Sequence, residues 1–144
     1  MRKFIYPLLA IFVLSASCKK EKLPEEPSIE LVEVSSTSLI EFQDLLYVTI
    51  RYTDNNGDLG TESPDQYSLQ VKDSRLAGPD WYHVAPLAPI GQNIKIDGEL
   101  KLKLNKMFIL GNSSHETLTL TLKIQDRAGN WSNELVSPAI TISK

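Results

Sequence analysis

The chain has 144 residues, with 15 lysines and arginines against 18 aspartates and glutamates, so its formal net charge is −3 at pH 7. A nucleic-acid partner would require clustered basic residues, and the acidic balance argues against one. The length suits one domain built around a single hydrophobic core.

The N-terminal segment has the features of a secretory signal. Arg2 and Lys3 precede an apolar run at residues 4–14, and the small residues 15–17 then lead to a cysteine. The run is far shorter than the ~20 residues that a membrane-spanning helix needs. The sequence therefore predicts a removable leader at residues 1–17.

Cys18 is the only cysteine in the chain, and it lies directly after the predicted leader. The segment LSASC resembles a bacterial lipobox, which implies that Cys18 carries lipid and holds the protein on a membrane. A lone structural thiol is the alternative, but it does not explain a position at the cleavage boundary. Without Arg2 and Lys3, the mature chain has 13 basic and 18 acidic residues, a net charge of −5.

Residues 18–27 are charged, contain prolines and show no apolar period. Such a segment buries too little surface to offset its ordering entropy, so we predict a flexible tether followed by a domain at 28–144. The lysines and glutamates behind the cysteine resemble the surface-export signal of Bacteroidota lipoproteins. This resemblance implies an outer-membrane protein on the periplasmic or cell-surface face.

The pattern after residue 28 is that of β-strands. Residues 45–53, 99–104 and 117–125 alternate apolar and polar side chains, a period of two that is typical of half-buried strands. Less regular candidates lie at 29–34, 67–73, 81–85, 107–110 and 135–142. Short strands separated by Gly, Pro, Asn and Asp clusters favour an antiparallel β-sandwich of about seven strands, of immunoglobulin-like or fibronectin type.

The segment DNNGDLGTESPD, which follows the second predicted strand, places Asp54, Asn56 and Asp58 at alternating positions. Calcium takes about 6 to 8 oxygen ligands, and alternating oxygen side chains can converge on it. Gly57 and Gly60 would permit the tight turns that point carbonyls inward. The alternative is a solvated turn, because Asn-Gly and Asp-rich segments favour turns for backbone reasons alone.

The end of the sixth predicted strand supplies a further carboxylate. In an immunoglobulin-like sandwich the loops after the second and sixth strands emerge at the same end, which would place Asp126 beside the first loop. Asp126 also suits a turn closed by Gly129 and Asn130. The predicted calcium ligands are Asp54, Asn56, Asp58, the Gly60 carbonyl and Asp126, with Glu62 and Asp65 as weaker candidates.

Two segments, YTDNNGDLG and IQDRAGNWSN, are similar to a pair of motifs in small uncharacterised Bacteroidota lipoproteins of immunoglobulin-like type. The first corresponds to a DxDGDLG-like loop and the second to a DxAGNxS turn. The resemblance implies a cell-envelope domain that is suspected of binding calcium and has no established activity. Asn56 replaces an acidic residue of the loop, which removes one charge.

The sequence favours a binding or structural module over an enzyme. His83 and His115 are the only histidines, and neither has a sequence context that indicates a nucleophile, a base and an orienting group together. The alternative to a calcium-dependent module is a glycan- or protein-binding module that uses loop aromatics without metal. Trp131 is the main candidate for contact with such a partner, whereas Trp81 and Tyr82 are interpreted as alternating between surface and core.

Overall fold

The computed structural model describes residues 23–144, which form an all-β structure without a helix in that range. The described strands are β1 (Ser28–Val34), β2 (Ser38–Ile40), β3 (Tyr47–Asp54), β4 (Leu69–Asp73), β5 (Asp80–Tyr82), β6 (Ile96–Lys103), β7 (His115–Leu118), β8 (Leu120–Ile124), β9 (Leu135–Val136) and β10 (Ile140–Ser143). The predicted leader and Cys18 lie outside the described residues, so cleavage and lipidation stay predictions. Residues 23–144 contain no helix that could span a membrane.

The strands form three hydrogen-bonded sheets. Two are antiparallel throughout, one with the order β1-β3-β6 and the other with the order β5-β4-β8-β9. The third has the order β2-β10-β7, in which β2 runs parallel to β10. The arrangement confirms the all-β prediction and is consistent with a β-sandwich.

The core consists of the apolar side chains that the period of two assigns to the inner face. On β3, Val48 and Ile50 are fully buried, and on β8, Leu122 and Ile124 are fully buried. Full burial of one such side chain contributes about 1.5–3 kcal/mol relative to exposure. Alternation in the sequence therefore predicted the inner face of these strands correctly.

Two predicted strands are each interrupted. The segment 117–125 breaks at Thr119, because β7 pairs with β10 in one sheet whereas β8 pairs with β4 in another. The segment 135–142 breaks around Pro138, which has no N–H for a strand ladder. The candidate strand at 107–110 is not formed, and β2 was not predicted.

Candidate functional site

The loop after β3 is organised by the carboxylate of Asp54, whose side chain is almost completely buried. Its Oδ1 accepts the backbone N–H of Asn56 at 3.0 Å, while Oδ2 accepts those of Asp58 at 2.8 Å and Leu59 at 3.2 Å. These bonds fold the loop back over the end of the strand, as Asp side chains do in turns. Asp54 thus directs both of its oxygens at its own loop.

Two glycines in this loop meet a steric requirement. Gly57 and Gly60 have φ values of 68° and 82°, which favour glycine. A Cβ on Gly57 would lie 2.4 Å from the Ile94 carbonyl oxygen, and one on Gly60 would lie 2.2 Å from that of Ala85. Both positions therefore need glycine for the conformation and for the close approach of neighbouring backbone.

Asp126 lies beside this loop, as the sequence predicted. It forms an antiparallel bridge with Leu59, and the N–H of Arg127 donates to the Asp58 carbonyl at 3.1 Å. The buried carboxylate of Asp126 accepts the backbone N–H of Asn130 at 2.7 Å and its side-chain amide at 2.9 Å. Asp126 therefore closes the turn after β8 while standing next to the first loop.

Asp58 is the carboxylate whose hydrogen bonding is incomplete. Its Oδ1 is buried and has no hydrogen-bond partner within residues 23–144. Burial is the main cause of a raised pKa for Asp58, and the negative charges of Asp126 and Asp54 raise that pKa further, whereas Arg127 opposes the rise. The three carboxylates thus lie close enough for electrostatic coupling.

The guanidinium of Arg127 binds the carbonyl groups of the same loop. It donates to the Gly60 carbonyl at 2.9 Å and to the Gly57 carbonyl at 3.3 Å. The Gly60 oxygen, a predicted calcium ligand, therefore already accepts a hydrogen bond from the Arg127 guanidinium. Sequence reasoning missed this role, although the arginine directly follows Asp126 in the motif.

The remaining predicted ligands are placed differently. The side-chain amide of Asn56 donates to the Glu25 carbonyl at 3.4 Å, and that of Asn55 donates to the Pro24 carbonyl at 2.9 Å. The described end of the predicted tether thus contacts the loop. Glu62 and Asp65 are exposed. Within residues 23–144, no three His, Cys, Asp or Glu side chains form a group that could hold a metal ion.

A second cluster is formed by the two tryptophans. Trp81 of β5 and Trp131, which bridges to Gln125 after β8, have ring centroids 6.1 Å apart at an interplanar angle of 56°. The ammonium of Lys123 lies 4.8 Å from the Trp131 ring centroid, within range of a cation–π interaction. Trp81 is 45% exposed and Tyr82 is half-buried, which agrees with the predicted alternation.

A shallow groove of about 250 Å³ lies on the same face of the four-stranded sheet. Gln70 of β4 is opposite both Trp81 and Lys123 in the strand register, so it connects the tryptophan pair to the groove. Most of the lining side chains carry hydrogen-bonding groups. They are Gln70, Lys72, Pro79, Thr121, Lys123 and Glu134.

An apolar cleft of about 310 Å³ lies at the end of β4 and β8 where Asp73 pairs with Leu120. One of its walls is Phe108, whose ring stacks on that of Phe42 with centroids 5.4 Å apart. Both rings are exposed. The sequence did not indicate this cleft because residues 107–110 were predicted to be a strand.

The described contacts of the two histidines are with nearby carbonyl and hydroxyl groups. His83 Nδ1 lies 3.1 Å from the Gln66 carbonyl and 3.4 Å from the Thr61 hydroxyl, while His115 Nδ1 lies 3.2 Å from the Ser114 hydroxyl. None of these contacts joins a histidine to a carboxylate that could orient it. That the protein is not an enzyme stays a prediction.

Comparisons with protein-family models, with curated proteins and with solved structures find no match for this chain. The similarity of the two loop motifs to those of Bacteroidota lipoproteins therefore stays a prediction.

Proposed function

We propose that this protein is a lipid-anchored protein of the bacterial outer membrane, and that its immunoglobulin-like sandwich is a non-enzymatic module that binds glycans. The observation that carries the proposal is the pair formed by the exposed Trp81 and the half-buried Trp131 beside a groove of hydrogen-bonding side chains. The sheet orders β1-β3-β6 and β5-β4-β8-β9 support the immunoglobulin-like type, in which two antiparallel sheets enclose one core.

The chemistry of the surface favours a glycan over an apolar protein segment. A sugar ring presents an apolar face and a rim of hydroxyl groups, so it suits an aromatic ring next to polar groups. Trp81 supplies the ring, while Gln70 and Glu134 supply an amide and a carboxylate for hydroxyl groups. A small number of placed polar groups beside aromatic surface is typical of ligand sites.

The experiment is a glycan-array screen of the full chain, followed by titration of the glycans that bind. The chain has two tryptophans, and both belong to the pair, so intrinsic fluorescence reports directly on the proposed site. We expect Trp81→Ala to abolish binding and Tyr67→Ala, a change at an exposed tyrosine, to leave it intact. The proposal fails if no glycan binds or if Trp81→Ala binds as tightly as the wild type.

Calcium binding at the loop after β3 is a second proposed function, and Asp58 favours it. The buried Asp58 oxygen that has no hydrogen-bond partner would become a calcium ligand if Ca²⁺ bound between Asp58 and Asp126. Asp54, Asn56 and the Gly60 carbonyl are the other proposed ligands, and the Arg127 guanidinium would have to leave Gly60. Calcium titration calorimetry of the wild type and of Asp58→Asn tests this, since Asp54 is needed for the loop itself. No heat of binding in the wild type at millimolar calcium would reject the site.

The lipid anchor has its own test. Intact mass measurement of the protein from bacterial membranes should show a mature chain that begins at Cys18 and carries acyl groups, and Cys18→Ser should lose them. Protease treatment of intact cells then separates the cell-surface face from the periplasmic face. A wild-type protein that retains residues 1–17 and has no acyl mass would reject the anchor.

A further inference from the structure

β6 is an edge strand of the three-stranded sheet. It pairs with β3 along its whole length, from Ile96 to Lys103, and within residues 23–144 no other strand pairs with it. An edge of this length leaves a row of backbone groups available to another strand.

The hydrogen-bond pattern shows which residues of β6 direct their backbone N–H and C=O groups away from β3, toward the open edge of the sheet. The Leu104 N–H donates to the Leu46 carbonyl at 2.9 Å, so this pair is one of the hydrogen-bonded pairs of the ladder. Hydrogen-bonded pairs alternate along an antiparallel ladder, so Leu102 and Leu100 also direct their backbone groups at β3. The backbone groups of the intervening residues point to the open edge. These residues are Asp97, Glu99, Lys101 and Lys103.

The same outward-facing residues carry exposed charges in the order acid, acid, base, base. This order is self-complementary when a second copy of the strand runs antiparallel. With Leu100 opposite Leu100 of the other copy, Asp97 faces Lys103 and Glu99 faces Lys101. Opposite charges directly across a strand pair stabilise it.

We propose that the open edge of β6 pairs antiparallel with β6 of a second copy of this chain, about a two-fold axis at Leu100. The pairing joins the two three-stranded sheets into one continuous sheet. It is isologous, since the same residues of both copies form the contact. The outward groups of the charged residues would form about eight backbone hydrogen bonds.

The charges select this register over its neighbours. Moving the axis to residue 99 would place Glu99 opposite Glu99, and moving it to residue 101 would place Lys101 opposite Lys101. Like charges directly opposite are destabilising. The register centred on Leu100 is therefore favoured over both neighbouring ones, which the backbone alternation would also allow.

The same pairing would bury apolar side chains on the inner face of β6. Leu100 and Ile96 are half-buried at the sheet edge and pack against the core from one side. In the proposed dimer Leu100 meets its own counterpart across the axis, and Ile96 stands opposite Leu104. Apolar surface that a single copy leaves open to water would then be buried, which favours association.

The first experiment measures self-association of the full chain in mild detergent by sedimentation over a concentration series. We expect the wild type to form dimers and Lys103→Glu to raise the dissociation constant about tenfold. That change places an acidic side chain opposite Asp97 of the other copy, and the two-fold axis repeats this unfavourable pair. The double variant Asp97→Lys, Lys103→Glu restores opposite charges and should recover the wild-type constant. Glu33→Lys, a charge reversal on β1 of the same sheet, is the control and should have no effect.

The second experiment locates the contact by amide hydrogen exchange at low and high concentration. Dimer formation should slow exchange at Asp97, Glu99, Lys101 and Lys103, whereas the amides of Gly98 and Leu100 already bond to β3 and should not change. A chain that stays monomeric up to about 1 mM would overturn the proposal. A dimer whose odd-numbered β6 amides exchange freely would overturn it as well, as would a double variant that fails to recover.

Discussion

The side-chain amide of Asn133 pairs with the backbone of Ile29 as a neighbouring strand would. Asn133 Oδ1 accepts the Ile29 N–H at 2.9 Å, and its Nδ2 donates to the Ile29 carbonyl at 3.0 Å. Ile29 belongs to β1, the strand opposite β6 in the three-stranded sheet. One edge of that sheet is therefore partly satisfied within the chain, whereas the β6 edge is open to another copy.

This pairing predicts a specific cost for Asn133→Asp. The substitution removes the Nδ2 donor and places a carboxylate beside the Ile29 carbonyl, so we expect a loss of about 1–3 kcal/mol in the free energy of unfolding at neutral pH. Urea unfolding measures it. Asn112→Asp, at an exposed position, is the control and should change stability little. Equal stability of the two variants would contradict the role of Asn133.

Asp54→Ala should destabilise the fold because the carboxylate satisfies backbone N–H groups that are otherwise enclosed by the loop. A buried donor without a partner costs about 1–3 kcal/mol, and we expect a total loss of about 3 kcal/mol. Thermal unfolding in the presence of a calcium chelator measures this structural effect apart from any metal. Asp65→Ala is the matched control at an exposed aspartate. A chelated Asp54→Ala protein as stable as the wild type would refute the structural role.

Period-two patterns predicted which side chains form the core, but they did not predict sheet membership. Leu118 and Leu120 both alternate inward, yet the chain changes sheets between them at Thr119, whose N–H donates to the Ser74 hydroxyl. Alternation reports burial on each side of the break and carries no information about the partner strand. Pro138 was the local signal for the other break, since proline interrupts a ladder.

The sequence predicted the position of Asp126 in the candidate site but not the contacts of Arg127. The proximity of Asp126 to the first loop follows from the order of strands in the predicted sandwich, and the bridge to Leu59 agrees with it. The contacts of Arg127 with the Gly57 and Gly60 carbonyls depend on the direction of one long side chain. Residue spacing does not determine that direction. The sequence pattern indicated that the loop could bind a cation, but it could not show that the Arg127 guanidinium itself binds the loop carbonyls.

Arg127→Met tests whether this internal cation holds the two loops together. The substitution keeps an unbranched apolar stem and removes the donors to the Gly57 and Gly60 carbonyls. Hydrogen bonds to a charged group contribute about 1.5–3 kcal/mol, and we expect a loss of that order with calcium absent. Urea unfolding measures the loss, and Arg51→Met, at a mostly exposed arginine, is the control. An Arg127→Met protein no less stable than the control would show that the guanidinium is dispensable.

Glu116 should make the stability of the domain depend on acid pH. Its carboxylate accepts the N–H groups of Leu110 at 3.1 Å and Gly111 at 2.8 Å, and it also accepts from the Arg75 guanidinium at 2.7 Å. The backbone bonds are the main cause of a lowered pKa for Glu116, and Arg75 lowers that pKa further. A lowered folded-state pKa means that the unfolded chain binds protons first as pH falls.

The contribution of Glu116 is therefore fully present above pH 4.5, the ordinary pKa of this carboxyl, and is lost as pH falls through the lower folded-state pKa. We expect Glu116→Gln to be less stable than the wild type at neutral pH and the difference to shrink in acid. Urea unfolding of both proteins across this range measures it. Glu33→Gln, at an exposed glutamate of β1, is the control and should change stability little at any of these pH values. A stability difference between Glu116→Gln and the wild type that stays constant with pH would mean that the charge of Glu116 does not stabilise the fold.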